Sequence, residues 1–325
     1  MSKWLWLTWE VQRRNQSITN RLDIPLFEIT SPHPRLLRYM SCGIRTLYVL
    51  FTRRPRLIFA QCPSTVLALL CIVFGKVFRT PVVIDAHNAT FDALSSGAKW
   101  HSWLVQWILS EASLTIVTNE ALATVIADHN GQAAILPDPL PNLPAPAIVP
   151  SVAHHPFVVL FICTWAGDEP YLEVIDSAST LDPDTWIYIT GKSPFIDTPP
   201  SEGLPSNVVL TGYVSEQRFI DLLYSADVIL DLTTRSDCLV CGAYEATSME
   251  KPMILSKTSA LQRYFDQGAL FTTNSANDIA ATIKLARERI EELSKGVAHL
   301  KKIMPHRWDL HKEDLLEKLN ALDPA

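Results

Sequence analysis

The run DCLVCGAYEATSMEKP, Asp237 to Pro252, sets two acids eight positions apart, Asp237 and Glu245, with Gly242 between them. Ahead of it, Asp227-Val-Ile-Leu-Asp-Leu-Thr-Thr234 is apolar and β-branched between turn signals, which predicts a buried strand. Behind it, Ala243 to Glu250 predicts a helix ended by Pro252. Strand, loop and helix then place one acid on each side of a helix start. Unpaired amides and a partial positive charge at such a start suit a phosphate. An acid one turn inside accepts hydrogen bonds from paired hydroxyls, such as those of a ribose. Phosphate donors beside a hydroxyl acceptor describe a nucleotide-sugar site. The spacing by itself fits a solvated loop acid and a helix-surface acid equally well; the strand-loop-helix context gives it meaning.

The same stretch resembles the E-x7-E signature of retaining glycosyltransferases of family 4, with Asp237 in place of the first Glu and Glu245-Ala246 and Lys251-Pro252 following the pattern. The resemblance implies an α/β chain of the GT-B fold, two Rossmann-like domains facing across a cleft. It implies that Glu245 holds the ribose, that Asp237 meets hydroxyls of the donor sugar, and that the amides around Val240, Cys241 and Gly242 meet the diphosphate. Asp85-Ala-His87-Asn88 is similar to the strand-end histidine of family 4, which lies beside the donor sugar. It also resembles the Asp-x-His-Asn of chitobiosyl-diphosphodolichol β-mannosyltransferases, which invert configuration and use a lipid-linked acceptor. The expected catalytic residues are therefore His87, Asp237 and Glu245. The substrate is a nucleotide diphosphate sugar, with no further cofactor and no metal. The acceptor is a glycan or a lipid-linked hydroxyl.

Two departures from that pattern matter. The glycine-rich loop expected after the first strand is missing from Trp9 to Ser17. In Thr164-Trp-Ala-Gly-Asp-Glu-Pro170, Asp168 and Glu169 stand where the family places Arg and Lys, and two acids repel a diphosphate. Its counter-charge then comes from Gly191-Lys192, from Arg235, or from Arg13 and Arg14, read as loop residues able to touch a phosphate or an acceptor, as is Asn88. These departures also admit a non-catalytic subunit that binds acceptor or nucleotide. A sugar-nucleotide epimerase on the same fold is a further alternative. The chain lacks a G-x-G-x-x-G after its first strand, which argues against a nicotinamide oxidoreductase.

The 325 residues suffice for two domains with real cores, and 48% hydrophobic with 19% charged residues fit a globular protein. Six cysteines show no disulfide framework and read as thiols of a reducing compartment. Cys238 and Cys241 form a lone CxxC, two ligands short of a zinc site. The net charge of −6 hides a split: residues 1–84 hold twelve Lys/Arg against three acids, a balance of +9, and the remainder holds 16 against 31, a balance of −15. A basic first domain suggests an anionic surface, and an anionic membrane fits better than nucleic acid, for which no module is visible. No apolar run reaches the length of a membrane span, so the expected location is cytoplasmic, with peripheral contact at a membrane.

Alternating and helical patterning divides the chain. Strands are expected at 3–8, 24–29, 57–60, 81–85, 114–118 and 134–136, and Pro34 to Phe51 and Pro63 to Phe78 read as helices. Pro34 to Phe51 carries an apolar stripe flanked by arginines, which reads either as a helix packed on its sheet or as an interfacial segment. Residues 1–136 form the acceptor-side domain. Six prolines between 137 and 150 mark a linker, assigned to 137–156. Residues 157–305 form the nucleotide-sugar domain, and a last helix within 306–325 returns to the first domain, with Trp308 as its anchor.

Overall fold

The computed structural model describes residues 4–95, 98–144, 155–195 and 203–323; most of the proline-rich linker, 145–154, lies outside them. The chain forms two compact units. One runs to Pro139 and takes in the chain from Arg307; the other spans Leu140–His306.

The first unit is built on β1 (Trp4–Thr8), α1 (Arg13–Leu22), β2 (Leu26–Glu28), α2 (Arg35–Arg53), β3 (Leu57–Cys62), α3 (Thr65–Phe78), β4 (Val82–Ala86), α4 (Asn88–Ser95), α5 (Lys99–Glu111), β5 (Leu114–Val117), α6 (Glu120–Asp128) and β6 (Ala133–Ile135). The strands pair in parallel in the order β2-β1-β3-β4-β5-β6. Helices cover both faces, so β3 and β4 are apolar nearly throughout and fully buried. Alternation along the strands sorts the core. Leu5, Leu7, Ile58 and Ile84 face α2, α3, α5 and α6. Trp6, Phe59 and Val83 face α1 and the end of the chain, with Trp6 stacked on Phe59 at 4.9 Å between ring centroids. Trp308 is buried there, its ring nitrogen donating to the Pro137 carbonyl at 3.0 Å.

The second unit holds β7 (Phe157–Phe161), α7 (Tyr171–Ala178), β8 (Thr185–Thr190), β9 (Val208–Gly212), α8 (Glu216–Ser225), β10 (Val228–Asp231), α9 (Cys241–Ser248), β11 (Met253–Ser256), α10 (Ser259–Tyr264), β12 (Ala269–Thr272) and α11 (Ala276–Glu288). The last helix, α12 (Ile290–Leu322), has Pro305 in its interior, and its residues from Arg307 onward count with the first unit. The strands are again parallel, in the order β12-β11-β10-β7-β8-β9. Counted within the unit this is the Rossmann order 3-2-1-4-5-6 reversed in direction, with its switch point between β7 and β10. α9 stops where Glu250 turns left-handed at φ 55°, and the Lys251 amide returns to the Ala246 carbonyl at 2.9 Å.

Two expectations change. Arg13 and Arg14 are not on a loop: they open α1, which starts after Gln12 with no side-chain cap. Its sequence carries few apolar positions, and tertiary burial of Asn15, Ile18 and Thr19 holds it in place. Pro34 to Phe51 is a helix, and of its apolar stripe Leu50 is buried in the core while Leu37, Met40, Ile44 and Leu47 face outward. α2 buries Cys42, Thr46 and Leu50 and turns Leu36, Met40, Ile44 and Tyr48 outward, Ile44 at 66% exposure. Among the described residues, no helix is long and apolar enough to cross a membrane.

Candidate functional site

In open parallel sheets, ligands bind outside the carboxyl ends of the strands at the switch point. In the second unit, the loops after β7 and β10 meet there and are sewn together by one residue. Asp168 accepts from the Thr233 hydroxyl at 2.9 Å, gives its carbonyl to the Thr234 amide at 2.7 Å, and lies 3.4 Å from Nε of Arg235. Arg235 is thus already turned toward an acid. Gly191 closes the adjacent β8 end at φ 85°, tucked so tightly that a Cβ would lie 2.2 Å from the Cys163 carbonyl oxygen. Lys192 next to it is exposed.

α9 begins beside these loops. Its N-cap Val240 is buried and offers no side-chain cap. Cys241 is exposed, whereas Cys238 is buried. Gly242 donates its amide to Oδ2 of Asp231 at 2.7 Å, and a Cβ at Gly242 would strike that carboxyl and Ile162. Glycine here permits close approach of the helix start to the end of β10. Burial pushes the Asp231 carboxyl well above the usual carboxylate range, and Glu245, Glu169 and Asp168 add to the shift against the bond from Gly242. A carboxyl raised in this way stays protonated where the unfolded chain has ionised. It therefore subtracts stability as pH rises above about 4. Asp237 and Glu245 are both half-buried, and Asp237 accepts from the Ser236 hydroxyl at 2.9 Å. The Gly242 amide, expected at the diphosphate, is held here by Asp231.

At the carboxyl ends of β3 and β4, the first unit builds a second polar cluster. Arg14 is 8% exposed at its side chain and grips the fully buried Asp85 through Nη2 at 2.9 Å; Nη1 pairs with Asp138, and Nη2 also reaches the Leu136 carbonyl at 3.1 Å. Burial alone would raise Asp85; Arg14 and His87 override it and hold the carboxyl well below its ordinary range. Nε2 of His87 lies 2.9 Å from Asp85 Oδ2. With Asp85 ionised, that nitrogen is the donor and the ring is held in one orientation. Gln61 gives its carbonyl oxygen to the Thr8 hydroxyl, while its buried Nε2 finds no partner among the described residues. The reading of Arg14 as a phosphate ligand gives way here, because its guanidinium is spent on two acids. Arg13 is exposed, and Asn88 opens α4 behind His87.

Gly191, Lys192, Arg235, Asp237, Val240, Cys241, Gly242 and Glu245 thus share one end of the second sheet, while Arg14 and His87 share a cluster in the first unit and Arg13 and Asn88 flank it. Sequence reasoning missed Asp231, the pairing of Asp85 with Arg14, and the stitching by Asp168. An acid at the end of an otherwise apolar run, as in Val-Ile-Leu-Asp231 and Val-Ile-Asp85, is the signal that marks Asp231 and Asp85.

No protein-family model and no curated protein matches this sequence. Solved structures do match its fold. Anabaena HepE in complex with UDP-glucose superposes with a TM-score of 0.74 at 13% identity, over 98% of this chain and 99% of that one. Sucrose-phosphate synthase from Thermosynechococcus elongatus gives 0.69 at 16% identity, covering 91% and 83%. The lipopolysaccharide outer core galactosyltransferase WaaB gives 0.64 at 12% identity, covering 98% and 99%. The fold is that of the GT-B glycosyltransferases.

Removing Arg14 leaves the buried Asp85 without its guanidinium and with His87 as its remaining partner. Arg14→Ala is expected to cost about 3–5 kcal/mol at neutral pH. Asp85, depressed by Arg14, contributes stability above its unfolded value and loses it as pH falls through the folded one, so the deficit narrows below about pH 4. Urea denaturation of both proteins across pH checks this.

Proposed function

We propose that the chain transfers a sugar from a nucleotide diphosphate sugar to a hydroxyl of a glycan or lipid-linked acceptor, with retention of configuration. One observation carries this reading. The Asp237–Glu245 stretch wraps the start of α9 at the switch point of a Rossmann-ordered sheet, where a nucleotide is expected. Glu245 is assigned to the ribose hydroxyls and Asp237 to the sugar. His87, oriented by Asp85, is assigned to the transferred sugar. Charge developing on the leaving diphosphate requires donors already in place. With Gly242 committed to Asp231, we assign that task to Lys192, Arg235 and the remaining amides at the start of α9. Neighbours crystallised with UDP or UDP-glucose make uridine diphosphate sugars the first donors to test.

One observation favours a second reading, a subunit that binds acceptor and leaves chemistry to another chain: internal acids already hold amides at the crevice. Turnover separates the two. Glycosyl transfer by the purified chain from a panel of nucleotide sugars is expected. Glu245→Ala should lower kcat/KM by about a hundredfold or more, the worth of two hydrogen bonds to a charged acceptor at about 1.5–3 kcal/mol each. His87→Ala should lower kcat with a smaller effect on donor KM. Wild-type rates in both variants would remove the assignment, and no turnover with any donor would favour the binding subunit.

We further infer that the first unit lies on an anionic bilayer at the cytoplasmic face. The outward stripe of α2 continues onto α3 through the exposed Phe51 and Phe78, which pack on each other and on the buried Phe74 at 4.4–5.5 Å between ring centroids, and Val77 of α3 is 69% exposed. Arginines 35, 38, 45, 53 and 54 border the stripe, as expected for a helix lying in a headgroup layer. The protein should pellet with vesicles containing phosphatidylglycerol and less with pure phosphatidylcholine. The exposed pair Met40→Asp and Ile44→Asp should abolish pelleting while leaving the unfolding midpoint unchanged. Pelleting unaffected by that pair would exclude this face.

A further inference from the structure

The loop after β7 is folded around a carboxylate. Glu169 turns back on its own loop. The Thr164 amide donates to both of its oxygens at 3.1 and 2.9 Å, the Ala166 amide donates to Oε2 at 2.9 Å, and the Thr164 hydroxyl donates to Oε1 at 2.9 Å. Trp165, between the two amides, has φ 64°, a left-handed turn that points the flanking N–H groups inward while its own amide donates to Cys163 Sγ at 3.3 Å. Such a nest binds phosphates in other proteins, and this one caps the central strand at the switch point. It is half-exposed, so a ligand has access. The sequence puzzle of Glu169 where a basic residue is expected thereby acquires a physical content: the carboxylate occupies donors suited to a phosphate oxygen.

We propose that Glu169 is an internal competitor for a phosphate group of the donor, and that donor binding requires this carboxylate to leave the Thr164–Ala166 nest. The proposal rests on the donor reading above and adds a residue that sets donor affinity. While Glu169 is seated, its charge and its hold on two amides both oppose a diphosphate. Displacement exchanges one anion for another on the same N–H groups and rotates the Glu169 side chain into solvent. No bond is made or broken, and the loop keeps its shape through Asp168, which remains on Thr233 and Thr234. The Asp231 carboxyl on Gly242 closes a second amide nearby, so acid side chains cover two of the backbone positions an anion would use.

Two variants test this with two probes. In Glu169→Ala the nest is empty, and inorganic phosphate should raise the thermal midpoint of that variant and leave the wild type unmoved, since a ligand stabilises only the state that binds it. In Glu169→Gln the side chain keeps its size and loses its charge. Its affinity for UDP-glucose, measured by calorimetry, should rise by about two orders of magnitude, the effect of removing one like charge about 5 Å from a phosphate at an effective dielectric near 20. UMP should gain less than UDP. Phosphate that stabilises both proteins equally, or neither, overturns the anion site. Selective phosphate stabilisation with unchanged UDP-glucose affinity in a wild type that binds it overturns the competition. Selective stabilisation with no nucleotide sugar bound by any variant upholds the anion site and sinks the donor reading instead.

Discussion

Backbone hydrogen bonding in a parallel sheet covered on both faces leaves no room for polar chemistry except at the strand ends. Every strand of both units runs in one direction within its sheet, and the interior strands carry apolar side chains on both faces. Polar side chains therefore collect at the carboxyl ends, where strands hand over to helix starts. Asp85 is the last residue but one of β4, Asp231 closes β10, and Thr190 closes β8; all three are buried. These residues decide what the crevices offer to a ligand.

The two clusters resolve their buried charge in opposite ways. In the first unit a buried carboxylate is neutralised by a buried guanidinium, which keeps Asp85 ionised and fixes the orientation of His87. In the second, Asp231 has one backbone amide and three acidic neighbours, and burial drives it toward the neutral form. Replacing a basic partner by Glu169 and Asp168 makes the loop self-sufficient: each acid is satisfied by amides and hydroxyls of the two loops at the switch point. That arrangement stabilises the crevice without a ligand and opposes an incoming anion. On the proposed donor reading, binding energy from the sugar and the base offsets this cost; Lys192 is exposed at the end of β8.

Much of the architecture was legible because parallel strands leave a plain record. Runs such as Phe157 to Phe161 and Pro81 to Asp85 are apolar and β-branched, and the prolines after Pro137 mark the change of unit. α1 was illegible because its ten residues include one buried apolar side chain, Ile18, so periodicity had nothing to report. α4, α5, α10 and β12 left signals too short or too mixed. The stripe on α2 was visible, but a stripe does not say whether it faces protein or solvent; only the packing of Cys42, Thr46 and Leu50 decides that. For the site, the acids at positions 237 and 245 were found by their spacing, whereas Asp231 and the closure of Glu169 on Thr164 depend on three-dimensional partners that no spacing encodes.

Hydrogen exchange read by mass spectrometry, with and without UDP-glucose, tests the central claim that the second unit holds the donor at its switch point. The account predicts added protection in peptides covering Thr164–Glu169 and Leu239–Glu245, with β11 and α11 unchanged. Protection confined to other segments, or none at donor concentrations that saturate related folds, would contradict it.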